Sequence, residues 1–252
     1  MYVSLQGKMY VATRDGAGNP GVFRFVGNVP EGRVALATDT EEHKESTSGQ
    51  RLTDHRMVRG KSATLSLSLE EWLLENLALA LYGATSVQAA GSVVTPGESF
   101  PNPVAAGDFV RLAFPKVSSV VIEDSAGTPA MLVLDSDYAI ESADHGTIKI
   151  LDPTGFTQPL RADSYSFAQH TRIGMFTQPA PERWLRFEGV NTEDADAPVL
   201  VELYRVRLDP LAELTLISEA LSPLALTGGV LFDATKAADA TLGQFGRYVS
   251  MV

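Results

Sequence analysis

Gly16, Gly18 and Gly21 stand at the spacing of a dinucleotide-binding fingerprint. That motif holds a pyrophosphate on a helix N-terminus, so it must lie between a strand and a helix. Here Pro20 lies inside the run and the following Val22 to Val26 reads as a strand, so the glycines read as a turn. Gly60-Lys61-Ser62 resembles the end of a phosphate loop, but His55 stands where the first glycine belongs and a strand pattern follows instead of a helix. His43 and His55 share a polar stretch with Glu41, Glu42, Glu45 and Asp54 at a spacing that fits no common zinc pattern. Asp135, Asp137 and Asp144 lack the glycine and distal acid of a calcium loop and read as turn aspartates. There is no Gly-x-Ser-x-Gly elbow, and neither His145 nor His170 has an evident Ser/Asp partner in the sequence. Trp72 and Trp184 read as core residues rather than ligand platforms. No catalytic residue, metal ligand or cofactor is expected, and the chain is not expected to be an enzyme.

Composition narrows the field further. The 252 residues carry a net charge of −11 and no cysteine. Disulfide scaffolds, thiolate metal sites and cysteine nucleophiles are excluded together. Duplex binding is driven mainly by cations that neutralise phosphates, so a chain this acidic is not expected to read DNA. No apolar run approaches the ~18 residues that span a bilayer. The N-terminus has no basic patch followed by an apolar core, so a signal peptide is not expected.

The elements that must position these residues read as mainly β. Gly and Pro, 21 and 14 residues, are spread throughout, as suits short strands joined by turns. Strands are expected from Leu5 to Thr13, Val22 to Val26 and Arg33 to Thr38. The stretch from Asp39 to Lys61 has an acidic first half (Asp39, Glu41, Glu42, Glu45) and a basic second half (Arg51, Arg56, Arg59, Lys61). It has no apolar period and reads as a long loop or mobile hairpin. From Ser62 to Leu69, Ala63, Leu65, Leu67 and Leu69 alternate with Ser62, Thr64, Ser66 and Ser68, which predicts a half-buried strand with a hydroxyl face. One helix is expected over 69–83, capped by Ser68 with Glu71 and packing through Trp72, Leu73, Leu77 and Leu81. Ala84 to Asn102 reads as a linker. A second β-block follows, with strands at Phe109 to Phe114, Ser119 to Glu123, Ala130 to Leu134, Thr147 to Leu151 and Tyr165 to Arg172. After a linker at Thr177 to Pro181, strands resume at Arg183 to Gly189, Pro198 to Leu208, Leu224 to Phe232 (broken at Gly228-Gly229) and Phe245 to Met251. The domain reading is 1–89 and 177–252 as one domain with 90–176 inserted. Opposite charges on the two arms of one loop invite heterologous contacts between copies, which give rings or filaments.

Several strings resemble the major tail tube proteins of long-tailed, non-contractile bacteriophages. They are Glu41-Glu42-His43-Lys44-Glu45-Ser46, Ser48-Gly49-Gln50-Arg51-Leu52-Thr53, Lys61 through Leu69, and Asn76-Leu77-Ala78-Leu79-Ala80-Leu81-Tyr82-Gly83. Arg183 through Gly189, Arg205 through Pro210 and Gly229-Val230-Leu231-Phe232-Asp233 add to the resemblance. It implies a β-sandwich or barrel subunit with one packed helix, which forms sixfold rings stacked into a hollow tail tube. Its partners would be copies of itself and other tail proteins (tape measure, tail terminator, distal tail), with no membrane. DNA would pass through the lumen without specific binding, and the protein would reside in the virion tail after assembly in the host cytoplasm. Carried over, the contact loop is Thr40 to Arg59, with Glu41, Glu42, Glu45, Arg51, Asp54, Arg56 and Arg59 as contact residues. Thr64, Ser66 and Ser68 would face the lumen. Block 90–176 would be either an outward-facing insertion or part of the tube fold itself. The rival reading is a monomeric β-sandwich adhesin or carbohydrate-binding module.

Overall fold

The alternation of leucine and hydroxyl residues after Lys61 does build a strand, and that strand is the longest in the molecule. The computed structural model describes residues 2–236 and 243–251. The first elements in chain order are β1 (Leu5–Ala12), β2 (Arg24–Phe25), β3 (Glu31–Lys44), β4 (Thr53–Leu69) and α1 (Leu74–Ala80). Then come β5 (Thr85–Gln88), β6 (Gly91–Val93), β7 (Glu98–Ser99), β8 (Phe109–Arg111), β9 (Val117–Glu123), β10 (Tyr138–Ser142), β11 (Thr147–Ile150), β12 (Arg161–Phe167) and β13 (His170–Ile173). The last are β14 (Glu182–Asn191), β15 (Ala197–Leu208), β16 (Leu224–Val230) and β17 (Gly246–Ser250). The chain is mainly β, as its composition predicts.

It divides into two compact units, 1–85 with 173–252, and 86–172. In the first unit the strands run β2-β1-β14-β15-β16-β4-β3, with β17 also on β15. The sheet forks at β15. Val199 to Leu203 of that strand pair with β17, while Val206 to Leu208 pair with β16. Both branches need a glycine against the β15 backbone. A Cβ at Gly246 would meet the Glu202 carbonyl, and one at Gly228 would lie 2.5 Å from the Arg207 carbonyl. Gly228-Gly229 therefore does not break β16 as the glycine pair suggests; it lets the strand dock. The core gathers Leu65, Leu67, Leu69, Leu185, Val206, Leu224 and Leu226. Fully burying such a side chain contributes about 1.5–3 kcal/mol.

The helix is shorter than its sequence suggests. α1 begins at Leu74 with Leu73 at its N-cap and no side-chain cap. Ser68 is a strand residue, paired with Glu31 on one side and Ala225 on the other, so the Ser68–Glu71 capping box does not form. The buried face is Asn76, Leu79 and Ala80. Leu77 packs against the core, Leu73 and Leu81 are half-buried, and Trp72 is exposed, with its indole N–H donating to the Ser222 carbonyl at 2.7 Å. Asn76 is fully buried but satisfied: its amide donates to the Val26 carbonyl at 2.7 Å and accepts from Arg24 at 2.8 Å.

The second unit has its own core, in which Ile122, Ile148, Ile150, Leu160 and Tyr165 lie between two antiparallel sheets. One is β10-β11-β8; in the other β12 pairs with β9 on one side and with β6 and β7 on the other. The 84–102 stretch is not a plain linker. It supplies β5, β6 and β7, whose small residues carry no apolar period. Ala130 to Leu134 is not a strand but a loop tied down by the Asp124 carboxylate, which accepts from Ala126, Ala130 and Thr157 amides. Tyr165 to Arg172 is two strands, and Tyr138–Ser142 is an unforeseen one. Tyr165 donates to Glu98 at 3.0 Å, and burial, with that carboxylate beside it, pushes its pKa up to about 12.

Candidate functional site

The stretch from Asp39 to Lys61 is not a loop. β3 and β4 form one antiparallel hairpin that runs from Glu31↔Ser68 to Lys44↔Thr53. Its turn covers 45–52. Register shifts beside Asp39/Thr40 and His43/Lys44 leave Arg59 and Asp54 as extra residues on β4. Those bulges re-aim the two side chains, and each meets a polar partner on β3. Arg59 pairs with Glu41, and Asp54 bonds His43 Nδ1 at 2.7 Å. Arg56 lies 3.9 Å from Glu42 and donates to Thr40 Oγ1 at 3.1 Å. Glu41, Glu42 and Asp54 thus find partners across one hairpin. Arg51 sits in the turn at φ 51° and has no ion pair among the described residues.

Glu45 organises the turn. Its carboxylate accepts from the Thr47 amide at 2.7 Å, the Thr47 hydroxyl at 2.8 Å, the Ser48 amide at 2.9 Å and the Ser48 hydroxyl. Those bonds, the Ser48 hydroxyl first, hold its pKa at about 2. The His43 bond likewise holds Asp54 below the usual carboxylate range.

Nearer the core the hairpin changes character. Ala63, Leu65, Leu67 and Leu69 are buried, while Thr64 and Ser66 are exposed and Ser68 half-buried. The cross-strand register puts Arg33, Ala35, Ser66, Thr64, Thr227 and Gly229 on the hydroxyl face. That face is small, with Arg33 paired to Glu31 at one side and the exposed Arg207 of β15 opposite Gly229 at the other. The opposite face of β3 carries Val34 and Leu36. Leu36 is 81% exposed because β3 is the end strand of the sheet.

A polar network on β14, β15 and β17 has no signal in the sequence. Glu202, 4% exposed, accepts from Arg186 at 3.0 Å and Arg247 at 2.7 Å. Glu182 takes both arms of Arg205 at 2.8 Å, and Arg14 bridges to Asp233 at 2.7 Å. The register that joins these residues is non-local, so spacing along the chain does not reveal it. Elsewhere His145 Nδ1 lies 2.7 Å from Ser142 Oγ on an exposed turn. No group of three His, Asp or Glu could hold a metal among the described residues. No helix there is long and apolar enough to cross a membrane.

Residues 2–249 match the family model described as Protein of unknown function UCP028589. The chain belongs to this family. No curated protein matches the sequence. The family match covers both units and the whole hairpin.

Proposed function

We propose that the protein is a structural subunit of a phage tail, a non-enzymatic building block that joins copies of itself into sixfold rings stacked as a tube. The observation that carries this reading is the free edge of β3. This strand has 14 residues, pairs on one side with β4, and ends the sheet on the other. A long, exposed edge with apolar side chains is a template for another strand. Folded proteins blunt such edges unless a partner completes them. Charged residues protect the two ends of this strand, but Val34, Ala35, Leu36 and Ala37 leave its middle apolar, and continuation of the sheet into a neighbouring copy is the arrangement that covers it.

The hydroxyl face supports the same reading. A channel that passes DNA must not neutralise phosphates, because each cation in contact with DNA adds affinity. Thr64, Ser66, Ser68 and Thr227 offer no cation and Arg33 is matched by Glu31, which leaves Arg207 as the cation of that face. Electron microscopy and light scattering of the purified protein over a concentration series test the proposal. Rings or tubes are expected. A strict monomer at every concentration, after long incubation and with tail initiator proteins present, rejects it.

A further inference from the structure

The sheet of the first unit is open along β1 as well as along β3, and the hydrogen bonds show which backbone groups each edge offers. On β1 the Ser4 amide donates to Asn191 and the Ser4 carbonyl accepts from Thr192, both on the β14 side. The Met9 carbonyl accepts from Val26 on the other side. Successive residues of a strand aim their backbone groups at alternate edges, so Val3, Leu5 and Gly7 aim theirs away from β14. β2 covers only Tyr10 and Val11, which leaves these three open. At the other end of the sheet, the Asp209 amide bonds the Thr227 carbonyl and the Leu231 amide bonds the Arg205 carbonyl, so Thr227, Gly229 and Leu231 aim at β15. Leu226 and Gly228 then aim at Leu67 and Leu65 of β4, and Ser66 and Thr64 of β4 aim at Arg33 and Ala35 of β3. The groups on the outer edge of β3 are therefore those of Gly32, Val34 and Leu36. Both edges are apolar: Tyr2, Val3, Leu5, Val34 and Leu36 are all exposed. Leu5, Gly7, Val34 and Leu36 line one open groove of about 1190 Å³, walled further by Val230 and Gly246 from the two branches of the fork at β15.

We propose that the β1 edge of one copy pairs antiparallel with the β3 edge of a second copy, with Leu5 opposite Val34. The inference rests on the reading that copies of this chain associate through β3, and it names the strand that β3 receives. Direction favours the match. Every neighbour along β1-β14-β15-β16-β4-β3 is antiparallel, so β3 runs opposite to β1, and a sheet continued from β3 into the next copy's β1 keeps the alternation. Register favours it too. Leu5 opposite Val34 sets Val3 opposite Leu36 and Gly7 opposite Gly32, so open backbone groups meet open backbone groups at all three positions. The apolar side chains that line the groove then meet on one face. On the other face Lys8, which is exposed and has no ion pair among the described residues, lies opposite Glu31. Leu5 opposite Leu36 would instead set Lys8 opposite Arg33, and like charges directly opposite destabilise a pair. Leu5 opposite Gly32 would leave the leucine without a side chain to meet. The two edges are different surfaces of one chain, so the contact is heterologous and propagates into rings or filaments.

The chain has no cysteine, so introduced thiols report contacts without background. Val3→Cys protein is mixed under mild oxidation with Leu36→Cys protein, and with Val22→Cys protein as a control, Val22 being exposed and on neither edge. A mixed disulfide at Leu36, formed at least about tenfold faster than at Val22, is expected, since held proximity raises effective concentration. Equal rates overturn the proposal. So does a monomeric intramolecular disulfide in the Val3→Cys/Leu36→Cys double variant, which would mean that the two edges close on each other within one copy; a ladder of covalent oligomers is expected instead. Microscopy of the same samples separates the two readings. Tubes without the selective cross-link reject the strand pairing alone, the cross-link without rings or tubes rejects the tube alone, and absence of both rejects both.

Discussion

Between Ala63 and Leu69, β4 lies with one face on the core; between Thr53 and Arg59 the same strand has both faces in water. Backbone pairing with β3 is continuous through both regions apart from the two bulges. Near the core, alternating leucines hold the hairpin by apolar burial. Further out, the exposed ion pairs Glu41–Arg59 and Glu42–Arg56 hold it, each worth only about 0–1 kcal/mol, together with the His43–Asp54 hydrogen bond. Pairing is thus one property and burial another. A strand can be long, regular and antiparallel with no apolar period at all.

The largest effect separates the two regions by substitution of one charge. Leu67→Asp puts an unpaired carboxylate into the core, where Leu67 is 4% exposed. An uncompensated buried charge costs about 3–5 kcal/mol, a large share of the ~5–15 kcal/mol that holds a domain. Val58→Asp, on the exposed part and opposite the neutral Thr40, stays within about 0.5 kcal/mol. Urea denaturation of both variants checks this. Similar midpoints for the two would break the distinction between a buried and a solvated region of the hairpin.

The next effect falls on association rather than stability. Val34→Lys with Leu36→Lys sets charges on the free edge, a device by which natural sheets prevent edge pairing. The subunit is expected to fold with a denaturation midpoint near that of the unaltered chain and to stop forming rings. Arg56→Glu with Arg59→Glu, beside Glu42 and Glu41, is expected to loosen only the outer hairpin. Like charges across a pair destabilise by about 0.2–1 kcal/mol. Amide hydrogen exchange should quicken over 39–59 and stay unchanged over 61–69. If the arginine variant stops assembly and the lysine variant does not, the outer hairpin is the clasp and the edge is not.

The same contrast explains what could be read from the residues alone. From Ser62 to Leu69 the facing of β4 was legible, because burial imprints alternation on side chains, although its start at Thr53 was not. The outer hairpin was not, since its ladder is made by backbone groups that every sequence shares. What the sequence did contain was the charge split, part of which the hairpin pairs across its ladder at Glu41–Arg59 and Glu42–Arg56. The helix was legible in existence but not in register. Ser68 looks like a cap until its pairing with Glu31 and Ala225 uses it in the sheet. The groove and the Glu202 network depend on the β15 fork, which brings together residues from Leu5 to Tyr248; nothing local encodes that.

The smallest effect concerns the tip, where the outer hairpin reverses without any apolar support. The Glu45 carboxylate accepts the Thr47 and Ser48 amides and hydroxyls, and these bonds lower its pKa from the ordinary 4.5 to about 2. A carboxyl whose folded pKa is depressed stabilises the folded form fully above its unfolded value, and that contribution is lost as pH falls through the folded value. The turn should therefore be intact at neutral pH, begin to weaken below about 4.5, and lose the Glu45 contribution as pH approaches about 2. NMR titration of the Thr47 and Ser48 amides should show a transition centred near 2, and Glu45→Gln should abolish it while leaving the Leu65 and Leu67 amides unmoved. A transition centred near 4.5 would mean that the carboxylate is solvated rather than bonded into the turn, and that the outer hairpin is closed by its cross-strand charge pairs alone.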